Sequence, residues 1–153
     1  MEDTIDRQPV KIVPLAAGYI EALAELEREC FSSPWSYEGL LEELSNPMAV
    51  FRVATVGDEV AGYVGMHHVL DEGYITNVAV KEGLRRKGIA RLLLRALKAY
   101  GEENEMAFIT LEVRVSNLAA IELYRLEGFE AAGIRCGFYA GPTEDALMMT
   151  FTY

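Results

Sequence analysis

The sequence predicts a single α/β (α+β) layer domain, with helices and strands interleaved on a mixed sheet. Three observations predict it. Segments of helical and strand periodicity alternate along the chain. Its 153 residues suffice for one domain with a sizeable core, spanning 1–153, and no internal repeat or low-complexity linker divides them. Apolar residues make up 51% and charged residues 25%, ordinary for a soluble globular chain.

Val10 to Leu15 reads as an opening strand. Gly18 to Cys30 has helical spacing, with Ile20, Leu23, Leu26 and Cys30 along one stripe. Ser32 to Ser36, with Pro34 inside, breaks that helix, and Ser36 can cap a second one through Leu44. Val50 to Val56 and Val60 to Val69 read as strands joined by a Gly57–Asp58 turn. Tyr74 to Val80 is a further strand, after an Asp71–Glu72–Gly73 turn. Ile89 to Tyr100 is the plainest helix: Ile89, Leu92, Leu93, Ala96, Leu97 and Tyr100 line one face, and Arg91, Arg95 and Lys98 the other. Phe108 to Val115 is a strand, and Asn117 to Leu126 a helix stopped by Gly128. Strands near Phe129 to Ile134 and Ala146 to Phe151 close the chain.

A net charge of −10 opposes general nucleic-acid binding, because a polyphosphate would meet a repelling surface. The charge is uneven. Seven of the fourteen Lys and Arg fall between Lys81 and Lys98. A basic patch on an acidic chain suits a small polyanion at one spot and a cationic partner elsewhere; the plainer alternative is a solvated helix face. Charges interrupt every apolar run well short of a membrane span. Met1 to Val10 lacks the basic start and apolar stretch of a secretory leader. Two cysteines, Cys30 and Cys136, form neither a disulfide framework nor a metal spacing, so a reducing cytoplasm is expected. His67 and His68 are adjacent in a strand, face opposite ways and cannot form one metal pair; no metal is expected.

Arg85-Arg86-Lys87-Gly88-Ile89-Ala90 lies between a strand and a helix start. A helix N-terminus offers unpaired N–H groups and partial positive charge. Gly88 permits dihedrals other residues resist and lets a phosphate come close. Flanking Arg and Lys add charge-assisted hydrogen bonds. The turn can therefore cradle a pyrophosphate, though it has neither P-loop nor dinucleotide spacing. A plain loop with exposed basic residues is the alternative.

At this loop the sequence resembles the GNAT acetyltransferases, whose acetyl-CoA signature is Arg/Gln-x-x-Gly-x-Gly/Ala; Arg85, Gly88 and Ala90 match it. The likeness continues in Cys30-Phe31, Pro34-Trp35-Ser36, Asn77-Val78-Ala79-Val80, Leu111-Glu112-Val113-Arg114, Ser116-Asn117, Ala120, Leu123-Tyr124, Gly128-Phe129, Arg135, Tyr139 and Asp145-Ala146. The set looks most like the RimI-type ribosomal-protein-alanine N-acetyltransferases. That resemblance implies a mostly antiparallel central sheet flanked by helices, with acetyl-CoA as cosubstrate. Val78, Ala79 and Val80 would lie along the pantetheine arm. Arg85, Arg86, Lys87, Gly88, Ile89, Ala90 and Arg91 would surround the pyrophosphate, and Asn117 would reach the coenzyme. Glu112 would be the general base and Tyr124 the general acid. Phe31, Trp35 and Tyr139 would flank an acceptor groove. The implied acceptor is a protein or peptide N-terminus, an alanine of a small-subunit ribosomal protein. Three positions depart from the RimI pattern: Phe138-Tyr139 replaces a common Tyr-Tyr pair, Lys81 to Leu84 replaces a proline-containing turn, and Ala90 stands where Gly is frequent.

The residues give that reading some independent support. Glu112 sits within an apolar strand, sharing a face with Thr110 and Arg114, and burying an unpaired charge is costly. A structural ion pair with Arg114 would explain it as well as a catalytic role would. Asn117 and Tyr124 are two helical turns apart and point nearly the same way, beside a core stripe of Ala119, Leu123 and Leu126. The chemistry implied is direct transfer: an amine freed of its proton attacks a thioester, and Tyr124, near ~10, protonates a thiolate near ~8.5. A backbone N–H near Val80 would hold the oxyanion, given a bulge there. No cysteine nucleophile is needed. Two other readings stay open: a small-amine acetyltransferase and a non-catalytic acyl-CoA-binding module.

Overall fold

The computed structural model describes residues 4–5, as backbone, and 8–153; half of the Met1 to Val10 stretch weighed as a leader lies outside them. The elements run β1 (Thr4–Ile5), β2 (Gln8–Pro14), α1 (Ile20–Cys30), α2 (Tyr37–Glu43), β3 (Ala49–Val56), β4 (Glu59–Val69), β5 (Glu72–Val80), α3 (Ile89–Glu103), β6 (Phe108–Arg114), α4 (Leu118–Leu126), β7 (Glu130–Tyr139) and β8 (Glu144–Thr152). The strands form one sheet in the order β1-β2-β3-β4-β5-β6-β8-β7. Every neighbouring pair is antiparallel except β5 with β6. A short 3-10 turn at Ala17–Tyr19 takes the first residues of the helix expected from Gly18, and another at Glu82–Leu84 lies where the sequence showed only a connection.

Each face of the sheet buries its own apolar layer. On one side, Ile89, Leu93, Leu94 and Leu97 of α3 pack with Ile109, Leu111, Val113, Tyr124 and Phe129. On the other, Ile20, Leu23 and Leu26 of α1 and Leu40 of α2 cover Phe51, Val53, Tyr63 and Ala79. Burying one such aliphatic side chain fully contributes roughly 1.5–3 kcal/mol, so both layers are well anchored. Ser36 caps α2 by accepting the Gly39 N–H at 3.0 Å, as its position before the helix predicts.

Three local readings need correction. The β4–β5 turn is tighter than expected, because Glu72 and Gly73 already pair with Val69 and His68; the reversal falls at Leu70, with φ 55°, and Asp71. The strand expected to end near Ile134 continues through bulges to Tyr139, which places that residue on β7. On α4 the packed residues are Ala120, Ile121, Leu123 and Tyr124, while Leu126 is 68% exposed and Ala119 is exposed, so the buried stripe includes Tyr124 itself. His67 and His68 diverge as expected: His67 meets Glu43 at 3.0 Å, and His68 meets the Tyr100 hydroxyl at 2.8 Å.

Candidate active site

The site begins with a parting of strands. β5 and β6 pair only at Glu72–Phe108, Gly73–Ile109 and Tyr74–Thr110. Beyond those positions β5 runs on to Val80 and β6 to Arg114 without pairing each other. A bulge at Thr76, set by the register shift opposite Gly65 and Met66, bends β5 as the strands separate. The sequence reading expected its bulge near Val80; the structure puts it four residues earlier. A cleft of about 620 Å³ fills the opening, lined by β5 from Ile75 to Val78, by β6 from Leu111 to Arg114, and by Asn117 and Tyr124. The α1–α2 connection (Phe31, Trp35) and the end of β7 (Tyr139) form its rim.

Past the parting, one edge of β5 lacks a strand partner. The Lys81 N–H returns to Ala61 O on β4 at 2.8 Å. Alternation then turns the Val80 carbonyl to the open edge, where it accepts from Arg85 Nε at 3.0 Å. The Ala79 side chain is buried, so at that position only backbone can face a ligand.

The basic patch divides. Arg85 folds back onto Val80 O and Cys30 Sγ, the latter at 3.3 Å, and clamps the end of β5 to α1. Arg95 and Lys98 both hold Glu127, at 3.0 and 3.2 Å. Burial raises the Glu127 carboxyl, but these two cations overcome it and keep its pKa below the usual range. Exposed Arg86, Lys87 and Arg91 remain around the start of α3, with no ion pair among the described residues. Gly88 is the N-cap residue with φ 83°, and Arg86 also has a left-handed φ of 63°. A non-glycine in that region costs on the order of 1 kcal/mol, a strain tolerated where the chain must curl. Ile89 is 1% exposed, so it can offer a ligand only its backbone N–H. Open strand edge, curled loop and unpaired helix N–H groups fit a pantetheine arm ending in a pyrophosphate.

Glu112 lines the cleft from β6. Its side chain is only 4% exposed. One carboxylate oxygen accepts from the Tyr74 hydroxyl, and the other lies 3.3 Å from Arg135 Nε. The expected partner, Arg114, is engaged elsewhere, with Glu144 at 3.3 Å and the Ala140 and Pro142 carbonyls at 2.9 Å each. Its guanidinium also lies 4.5 Å from the centre of the Tyr139 ring. Burial, and then the Glu112 charge, push the Tyr74 phenol well above its ordinary range. Burial does the same to Tyr124, whose ring packs on Phe129 at 5.9 Å. Asn117 caps α4 by accepting the Ala120 N–H at 3.2 Å, which leaves its amide NH₂ for the cleft. Cys30 is half-buried and its thiol is pushed up by burial, unlike an activated nucleophile.

Sequence reasoning missed Tyr74, Arg135 as a partner of Glu112, and Glu27. Glu27 is 1% exposed within the α1 stripe and accepts the Trp35 N–H at 3.0 Å. A carboxylate at a buried helical position was the available signal for Glu27. The Tyr74 and Arg135 contacts cross between strands and leave no local trace.

A sheet that opens between two parallel strands, beside a basic glycine turn at a helix N-terminus, defines a class. The acetyltransferase (GNAT) family model matches residues 20–129, and the chain belongs to that family. It is an acetyl-CoA-dependent N-acetyltransferase. Among its relatives, the [ribosomal protein bS18]-alanine N-acetyltransferase of Escherichia coli is 34% identical over 134 residues, 85% of this chain and 88% of that one. The N-alpha-acetyltransferase RimI of Mycobacterium tuberculosis is 32% identical over 152 residues, covering 95% and 94%. The crystal structure of the E. coli ribosomal-protein-S18-alanine N-acetyltransferase superposes with a TM-score of 0.86 at 31% identity, covering 94% of this chain and 93% of that one. Among the described residues no helix is long and apolar enough to cross a membrane.

Proposed function

We propose that this enzyme is a protein Nα-acetyltransferase acting on an N-terminal alanine of a small-subunit ribosomal protein, with Glu112 as base and Tyr124 as acid. The observation that carries the reading is Glu112, a nearly buried carboxylate lining the cleft where β5 and β6 part, with Tyr124 on the same cleft. The relatives supply the acceptor: two are named for alanine of bS18 or for an α-amine.

Acetyl-CoA supplies the acetyl group as a thioester. The open edge of β5 and the start of α3 bind it, with Arg86, Lys87, Gly88 and Arg91 at the phosphates. The acceptor's α-ammonium, with a reference value near ~8, gives a proton to Glu112, directly or through a water. The amine nitrogen then bonds to the acetyl carbon, sheds its surplus proton to water, and the carbon–sulfur bond breaks to release the coenzyme thiolate. Tyr124 stands ready to donate to the departing sulfur. Its raised pKa holds the phenol protonated through neutral pH. That shift also makes full proton transfer to a thiolate near ~8.5 more uphill than an ordinary phenol's, so hydrogen bonding carries most of the stabilisation. Phe31, Trp35 and Tyr139 frame the acceptor.

The test is thiol release from acetyl-CoA with peptides beginning Ala, Ser, Met and Pro, against an Nα-blocked peptide carrying lysine. Release with free Ala peptides alone supports the reading. Release only with small amines would move the acceptor to that class. Coenzyme binding without any release would leave a binding module.

A further inference from the structure

The two arginine–carboxylate pairs beside the cleft are built differently. Arg114 is fixed by Glu144, by two backbone carbonyls and by the Tyr139 ring. Arg135 reaches Glu112 through Nε alone, at 3.3 Å; the same Nε–H donates to Met148 Sδ at 3.4 Å, and its guanidinium lies 5.8 Å from the centre of the Phe138 ring, against 4.5 Å for Arg114 over Tyr139. One shared N–H is a weak hold. The Arg135 side chain is 53% exposed, whereas Glu112 is 4% exposed. Arg135 is also the last residue of β7 in register with β8 before the ladder breaks as far as Tyr139, and Gly137 in that break has φ 63°. Nothing in the backbone beyond Arg135 pins it over the carboxylate. The second contact on Glu112 is the Tyr74 hydroxyl, from the strand that pairs with β6 at the base of the cleft.

We propose that Arg135 is a displaceable partner of Glu112. It occupies the carboxylate in the absence of acceptor and yields it to the acceptor's α-ammonium, while Tyr74 holds the other oxygen throughout. The exchange trades one cation for another, so the buried carboxylate is never left without a positive neighbour, a state that would be costly. Arg135 is thus a positioning residue acting through Glu112. It makes acceptor binding a competition that only a cationic amine can win, and this selects an amine over a neutral N-terminus. The inference rests on the Nα-transfer reading with Glu112 as base.

The experiment is steady-state kinetics with a free Ala-starting peptide at saturating acetyl-CoA. Only the Arg135 half of the pair is exposed, and one long Nε contact holds it, so the pair is weak and Arg135→Gln lowers the peptide KM by about twofold to fivefold, with kcat within about twofold. Arg135→Lys restores the competing charge and brings KM back near the unaltered value. Arg125→Gln removes an equally exposed positive charge on α4 and leaves KM unchanged, which separates local competition from surface charge. A higher KM in Arg135→Gln would mean that Arg135 holds the peptide, and an unchanged KM would mean that it does not compete. A collapse of kcat alone would mean that it orients the base and never leaves. Each of these overturns the proposal. Failure of the unaltered protein to turn over any free-amine peptide is a different result: it sinks the Nα-transfer reading itself, and this inference with it.

Discussion

The regions proposed to hold the coenzyme and the acceptor are made of different material. In the proposed coenzyme region the groups on offer are mostly backbone: the open edge of β5 and the N–H groups at the start of α3, curled by Gly88 at φ 83°. In the proposed acceptor region they are side chains brought from separate strands: Tyr74 from β5, Glu112 from β6 and Arg135 from β7. Backbone sites are fixed by the fold and accept side-chain variation. Side-chain sites depend on individual atoms. A substitution at the acceptor end should therefore damage turnover and spare coenzyme binding, and one at the coenzyme end should do the reverse.

The sharpest break would come from Glu112→Gln. It keeps the shape and removes the proposed base, so acetyl transfer should fall by about 10²–10⁴-fold while coenzyme affinity stays. Coenzyme titration beside single-turnover kinetics checks it; equal loss of both would make Glu112 a structural ion-pair member. Next in size, Gly88→Glu places a β-carbon and a negative charge in a left-handed position at the proposed phosphate cradle. A coenzyme Kd raised roughly tenfold or more is expected, with near-normal kcat at saturation. Unchanged affinity would remove the phosphate cradle. Tyr124→Phe should lower kcat by roughly tenfold to a hundredfold and barely move the melting temperature. The packing on Phe129 survives that change, and the phenol has no protein hydrogen bond among the described residues to lose.

The same contrast explains what the sequence could reveal. The proposed coenzyme region is contiguous, one strand–loop–helix segment: composition and spacing pointed to the Arg85 to Arg91 loop as a phosphate cradle, and the family resemblance added Val78 to Val80. Even there the side chains misled, since the seven basic residues counted as one patch divide into exposed Lys81 just past β5, a clamp, a pair on Glu127 and three around the helix start. Glu112 was visible as a charge out of place in an apolar strand. Its partner was misassigned, because Arg114 is the same-face neighbour in sequence whereas Arg135 arrives across β8. Likewise Tyr139 looked like a loop residue because glycines and bulges in β7 hide a strand's alternation.

Glu27 joins the two ends, and its substitution should have the smallest effect. One oxygen fixes the Trp35 N–H at the acceptor rim; the other has no hydrogen-bond partner among the described residues, with Tyr63 and Asn77 nearby. Burial raises the carboxyl's pKa, against the lowering effect of those three groups. A raised folded value means the native state holds the proton more tightly than the unfolded chain. Stability from this group is therefore fully present below the ordinary carboxyl value near ~4.3 and is lost as pH rises through the folded value. Glu27→Gln keeps an oxygen for Trp35 and never ionises. Its melting temperature should match the unaltered protein at the acid end and exceed it increasingly toward neutral pH, with kcat unchanged. Melts across that range decide it. A variant less stable at every pH would show that Trp35, Tyr63 and Asn77 require the carboxylate as an anion, which would make Glu27 part of the site rather than a strut beneath it.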